Sequence, residues 1–75
     1  MSLGNGIFEN NVYKFPILKN QFLIECNNGN YFVFKKDEFG VLSLISVKNN
    51  IQHAKECLVK YINKNRKVDF PNLTI

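Results

Sequence analysis

The stretch FLIECNNGNYFVFKKDEFGVLSLI, residues 22–45, decides the fold. Apolar and polar residues alternate on either side of two short segments that contain glycine, NNG at 27–29 and EFG at 38–40. Alternation with a period of two is typical of strands that bury one face, and glycine is favoured where a turn needs a positive φ. The stretch therefore predicts three antiparallel strands joined by two hairpin turns.

The register of these strands follows from the length of each turn. If residues 27–29 form a three-residue loop, Ile24 faces Phe32 and Phe22 faces Phe34. A three-residue loop at 38–40 places Leu44 opposite Phe34 and Leu42 opposite Lys36. Both loops together predict one shared apolar face, with the members Phe22, Ile24, Cys26, Phe32, Phe34, Leu42 and Leu44.

Residues 11–18 predict a further strand upstream. A two-residue turn at 19–20 would place Tyr13, Phe15 and Ile17 on the same apolar face. Pro16 lacks an N–H and is tolerated only where a strand has no partner on that side, so this strand should lie at the sheet edge. The agreement of four segments on one face indicates that the pattern reflects a real sheet.

Residues 49–64 predict an amphipathic helix. Apolar side chains recur at helical spacing and share one stripe, with the members Ile51, Ala54, Leu58, Tyr61 and Ile62. The predicted fold is α+β, a four-stranded antiparallel meander sheet with one C-terminal helix packed on one face. Residues 1–10 are expected to form a flexible leader, residues 11–64 the single domain and residues 65–75 a tail.

The chain is long enough for one core, with 75 residues and 45% hydrophobic residues. It has no apolar run long enough to span a membrane, and its first residues lack the features of a signal peptide. We therefore expect a cytoplasmic protein whose two cysteines, Cys26 and Cys57, remain thiols.

The net charge of +4 lies entirely in residues 41–75, because the charges of residues 1–40 balance. A basic surface on the helix and tail could contact phosphates, through Lys60, Lys64, Arg66 and Lys67. The ordinary interpretation is a solvated helix face, in which Glu56 pairs with Lys60 one turn away.

Residues with catalytic or metal-binding chemistry are few. His53 and Cys57 lie one helical turn apart, but a zinc site needs four ligands and Cys26 would be only the third. The adjacent pair Asp37-Glu38 falls at a turn, where acidic residues are common. We expect no enzyme activity, no cofactor, no metal and no small-molecule substrate.

The outer face of the predicted sheet is the candidate functional surface. One helix covers only one face, so the second face would expose apolar side chains, a feature that usually marks a contact surface. The predicted interaction surface consists of Leu23, Tyr31, Val33, Lys35, Val41 and Ile45. Alternatively the chain covers this face itself, either with the leader or with the tail, through Ile7, Phe8, Val68, Phe70, Leu73 and Ile75.

Four strands followed by a helix, with Gly29 before Tyr31-Phe32-Val33-Phe34, resembles the repeat unit of PUR-type and PC4-type single-stranded nucleic-acid binders. That resemblance implies dimers that bind bases on an aromatic and basic sheet surface, where Tyr31, Lys14 and Lys35 would fit. It is an analogy of fold. The leading hypothesis is a non-catalytic module for protein contact or homodimerisation, and the alternative is single-stranded nucleic-acid binding by the sheet face and the basic helix and tail.

Overall fold

The structure, a computed structural model, describes residues 2–65 and 72–75 of the chain. It shows an antiparallel sheet with one C-terminal helix, which confirms the predicted α+β class. The elements are β1 (Ile7–Glu9), β2 (Val12–Lys14), a 3₁₀ turn (Pro16–Leu18), β3 (Phe22–Asn27), β4 (Asn30–Lys36), β5 (Leu42–Lys48) and α1 (Ile51–Lys64). The sheet is a meander in the order β1-β2-β3-β4-β5, so it has five strands where four were predicted.

The hairpin between β3 and β4 has a two-residue turn, and the predicted three-residue loop is wrong. Asn27 pairs with Asn30, which leaves Asn28 and Gly29 at the turn with φ of 52° and 78°. A two-residue Asn-Gly turn with two positive φ angles matches the twist of the flanking strands, whereas a three-residue loop would introduce a bulge. The register therefore differs by one residue from the predicted one, and every side chain of β4 lies on the opposite face.

The hairpin between β4 and β5 has the predicted pairing near its turn. Lys36 pairs with Leu42 and Phe34 with Leu44. The Asp37 carboxylate organises the turn, because its Oδ1 accepts hydrogen bonds from the backbone N–H groups of Phe39 (2.9 Å) and Val41 (2.8 Å). A bulge follows between Val33 and Phe34, and Ile45 is the residue of β5 without a partner there.

Only the first part of the predicted strand at 11–18 forms a strand. Tyr13 pairs with Ile24, two residues away from the Cys26 predicted, and the strand ends at Lys14. Pro16 then begins the 3₁₀ turn, where its fixed φ and missing N–H are tolerated at the first position. The turn places Phe15 and Leu18 in the core, at 2% and 0% exposure.

The helix agrees with the prediction. Asn50 caps it, since its side-chain oxygen accepts hydrogen bonds from the N–H groups of Gln52 (2.7 Å) and His53 (3.3 Å). The predicted stripe packs against β4 and β5, with Ala54, Leu58 and Ile62 buried. The main apolar cluster forms between the helix and the face of the sheet that carries Ile24 and Val33, here called the inner face.

Described residues near both ends, in the segments expected as leader and tail, pack with the domain. Leu3 and Leu73 are buried in the core, and the Leu3 N–H donates to the Thr74 carbonyl at 2.8 Å. The amide of Asn63 on α1 holds Leu73 by two hydrogen bonds, each 2.9 Å long. Leu3 and Leu73 therefore add to the buried apolar cluster that includes the α1 stripe.

Gly6 should tolerate alanine less well than Gly29, although both have positive φ angles of 74° and 78°. A Cβ on Gly6 would lie 2.8 Å from the Phe15 ring and 2.9 Å from the Lys14 carbonyl oxygen, whereas one on Gly29 meets nothing within 4 Å. Gly29→Ala should cost about 1–2 kcal/mol for its backbone conformation. Gly6→Ala should cost about 1–3 kcal/mol more through overpacking. Denaturant unfolding measures both, and equal losses would contradict the close approach.

Candidate interaction surface

The outer face of the sheet is the side opposite α1, and the observed register determines its members. Side chains alternate between faces along each strand, so partners of an outward residue also point outward. Leu23 pairs with Phe34, and Glu25 pairs with Phe32. The apolar members of the outer face are Ile7, Val12, Leu23, Phe32, Phe34, Leu42, Leu44 and Val47.

The apolar side chains concentrate on β4 and β5. Phe32 and Phe34 lie two residues apart on β4 and are half-buried. Their partners on β5, Val47 and Leu44, are 44% and 54% exposed, and Leu42 beside them is 43% exposed. A contiguous group of this kind differs from the isolated apolar residues that are normal on protein surfaces.

Charged side chains occupy several of the remaining positions of the outer face. Lys14 pairs with Leu23, and Glu25 pairs with Val12 on β2. Glu9 lies at the β1 edge opposite Val12, and Lys36 follows Phe34 on β4. The charges thus concentrate on β1–β3, and Lys36 is the charged residue at the end of the mainly apolar half on β4–β5.

Several predicted members of the interaction surface do not lie on the outer face. The one-residue difference in the β3–β4 register places the side chains of β4 on the opposite faces from those predicted. Val33 is 0% exposed in the core, and Tyr31 packs against the core. Lys35 pairs with Phe22 and so belongs to the inner side. Their placement on the outer face was wrong, and Phe32 and Phe34 take that position.

The other three predicted members have different outcomes. Leu23 lies on the outer face as predicted. Ile45 packs against the core, because it follows Leu44, which pairs with Phe34 on the outer face, so the one-residue shift of β4 also changes the side of Ile45. Val41 is 58% exposed but precedes β5, within the turn that Asp37 organises. The Asn28-Gly29 pair was the sequence signal that could have identified the correct outer-face residues, because Asn-Gly is typical of a two-residue hairpin turn.

The described parts of the termini do not follow the self-covering alternative. Ile7 and Phe8 form the edge strand β1 and remain 53% and 52% exposed. Leu73 lies in the core on the helix side. Val68 and Phe70 lie outside the described residues. Of the residues that were expected to cover the outer face, Ile7, Phe8 and Leu73 therefore lie in strand β1 or in the core instead.

The candidate ligand residues do not form a recognisable metal site. His53 is exposed and Cys57 half-buried, and they line a shallow depression with Lys48, Glu56 and Lys60. Within residues 2–65 and 72–75, no three His, Cys, Asp or Glu side chains are grouped to hold a metal ion. Two basic side chains accompany the one carboxylate in this depression, an arrangement that disfavours a cation.

The predicted phosphate contacts are only partly described. Lys60 and Lys64 are exposed on α1, away from its buried stripe. Arg66 and Lys67 lie outside the described residues. Whether these four form one basic surface stays a prediction.

An aromatic row crosses the inner side of the sheet from β1 to β4. Phe8 lies against Tyr13 with ring centroids 4.4 Å apart, and Tyr13 lies 6.5 Å from Tyr31. Cys26 pairs directly with Tyr31. The negative charge that the Cys26 thiol can acquire raises the pKa of Tyr31 above its ordinary 10.0, and desolvation and a hydrogen bond to Cys26 act in the same direction.

The raised pKa of Tyr31 predicts that the stability of the domain falls at alkaline pH. The folded state holds the phenol proton more tightly than the unfolded state, so this stabilisation is complete below pH 10.0 and is lost as pH rises through the folded pKa. Cys26→Ser should move the Tyr31 pKa back toward its ordinary value, because it removes the largest cause. NMR titration of the Tyr31 ring measures this, with Cys57→Ser as the control. An unchanged Tyr31 pKa in Cys26→Ser would contradict the coupling.

No protein-family model, curated protein or solved structure matches this chain in comparisons with known proteins. Across the described residues, no helix has both the length and the apolar character that crossing a membrane requires. The geometry therefore defines a small α+β domain with an apolar outer sheet face.

Proposed function

We propose that this chain is a non-catalytic interaction module that binds another protein through the outer face of its sheet. One observation carries the proposal: Phe32 and Phe34 lie beside exposed Leu44 and Val47 on a face that the core does not use. Interface centres are enriched in aromatic residues and are surrounded by polar rims. The charged residues on β1–β3 would supply such a rim.

The core supports this interpretation because it is complete without the outer face. Ile24 and Val33 are fully buried on the inner side, in one cluster with residues of α1 and the 3₁₀ turn and with Leu3 and Leu73. Phe32 and Phe34 therefore do not belong to the domain's main apolar cluster. A solvated second face of an antiparallel sheet is normally polar, so its apolar character here favours a partner. Both cysteines are free thiols, in keeping with a cytoplasmic location, which is part of the proposal.

Site-specific photocrosslinking tests the proposal without assuming the partner. A photoreactive amino acid would replace Leu44 on the outer face or, as control, Lys60 on the exposed side of α1, in cells that naturally make the chain. We expect protein adducts from position 44 and few from position 60. Adding Phe34→Asp should reduce the adduct at position 44 about 30-fold, since central aromatic contacts are worth 2 kcal/mol or more. Equal yields at both positions, or adducts that Phe34→Asp leaves unchanged, would refute the proposal.

Single-stranded nucleic-acid binding is the second candidate, and the aromatic pair on β4 favours it. Phe32 and Phe34 could stack on successive bases while Lys14 and Lys36 contact phosphates. Glu9 and Glu25 on the same face oppose a polyanion, so we rank this candidate second. Anisotropy of a labelled single-stranded oligonucleotide tests it. Binding that Phe34→Ala abolishes and that weakens steeply with salt would support it, and its absence at low salt would eliminate it.

A further inference from the structure

The outer face is organised in two parallel rows that cross all five strands. The register places Glu9, Val12, Glu25, Phe32 and Val47 side by side in the first row. It places Ile7, Lys14, Leu23, Phe34 and Leu44 side by side in the second row. Both carboxylates of these rows are in the first, and the one ammonium group is in the second.

We propose that the partner of the outer face is a second copy of this chain, stacked face to face. The two-fold axis runs across the strands and passes between the two rows. This inference rests on the proposed function and names its partner. Each strand then lies over the same strand of the second copy, and the first row of one copy meets the second row of the other.

The stacked arrangement is complementary in both shape and charge. Phe32 meets Phe34 of the second copy, and Val47 meets its Leu44, so the apolar halves cover each other. On the other half, Lys14 lies over Val12 of the second copy, between the carboxylates of Glu9 and Glu25. The symmetry repeats each contact twice, and such matched potentials fix the register of an interface.

A two-fold axis along the strands would lack this complementarity. It would place each row over the same row of the second copy, so Lys14 would face no carboxylate. With the axis over β3, Glu25 would lie directly over Glu25 of the second copy. Juxtaposed like charges cost several kcal/mol at interfaces, so the charge pattern selects the axis across the strands.

The size of the face predicts a reversible dimer. Strands of three to seven residues make up the sheet, and with strands about 4.8 Å apart they project an area of roughly 400 Å² per copy. Interfaces that bury less than about 1,200 Å² in total belong to weak or transient complexes. We therefore expect monomer and dimer to exchange with protein concentration.

A charge-swap experiment tests this arrangement by sedimentation equilibrium. Wild type should dimerise, and Lys14→Glu alone or Glu9→Lys/Glu25→Lys alone should each weaken the dimer about tenfold or more, because each places like charges together. Mixing these two variants should restore dimers, since every contact between the different chains then joins opposite charges. The matched control is Lys60→Glu, which makes the same charge change on α1 and should leave dimerisation unchanged.

Each other outcome overturns the inference. Wild type that stays monomeric excludes the second copy, and a mixture of the two variants that stays monomeric excludes the crossed-row register. Dimers indifferent to all these charges would indicate pairing along the edge of β5 instead. Crosslinking at position 44 separates these failures from failure of the proposed function, because adducts with a different protein would retain an interaction surface with another occupant.

Discussion

Val33→Asp is expected to unfold the domain, whereas Phe34→Asp, one residue further along β4, should leave it folded. Val33 is 0% exposed and faces Ile24 in the core, so a carboxylate there has neither water nor a partner. Burying an unpaired charge costs several kcal/mol. A domain of this size has a core worth roughly 3–5 kcal/mol, so the loss would equal its whole stability.

Circular dichroism and NMR spectra of the two variants measure this difference. Phe34 is half-buried on the outer face, where a carboxylate stays hydrated in the monomer. We expect native spectra for Phe34→Asp and an unfolded chain for Val33→Asp. The opposite pair of results would mean that β4 has the register expected from a three-residue loop.

Phe15→Ala should also bring the domain close to unfolding. Phe15 is 2% exposed, precedes the 3₁₀ turn and packs beside Gly6. Truncating a buried phenylalanine to alanine costs about 3–5 kcal/mol, because it loses transfer free energy and leaves a cavity.

Phe39→Ala is the matched control for that truncation. Phe39 also lies in a connecting segment but is 83% exposed, so its removal should change stability by less than about 0.5 kcal/mol. Thermal or urea unfolding compares the two variants. Similar stabilities for both would show that Phe15 does not close the core.

The parts of the fold that were predicted correctly have local, redundant signals. The helical stripe predicted a helix over residues 49–64, close to the observed Ile51–Lys64, and also its buried side. The pairing of Phe34 with Leu44 followed from the spacing around Gly40. In both cases, neighbouring residues agree on one geometry, so a small error at one position would not change the result.

The parts that were missed depend on single-residue turn geometry. The turn at Asn28-Gly29 was predicted to be one residue too long. Because side chains alternate along a strand, that error placed every side chain of β4 on the wrong face of the sheet. Strand β1 was missed because its turn, Asn10-Asn11, uses two asparagines with φ of 53° and 63°. Asparagine tolerates this region better than most residues, but its presence does not require it.

The candidate surface was predicted in kind but not in membership. An apolar second sheet face follows from composition and from having one helix, whichever register applies. Which residues belong to it depends on the strand register. Leu23 was predicted correctly, but the observed register places Phe32 and Phe34 on this face where Tyr31 and Val33 were predicted. The inward position of Ile45 depends on the same shift, because Ile45 follows Leu44, the partner of Phe34.

Solvent relaxation in NMR, with a soluble paramagnetic probe, tests most directly whether an open apolar face exists on this sheet. In dilute protein, the side chains of Phe34 and Leu44 should be strongly relaxed, and those of Val33 and Ile24 should be protected. In concentrated protein, Phe34 and Leu44 should become protected as copies stack, while the exposed side of α1 stays relaxed. Protection of Phe34 and Leu44 in the dilute monomer, or relaxation of Val33, would contradict the account.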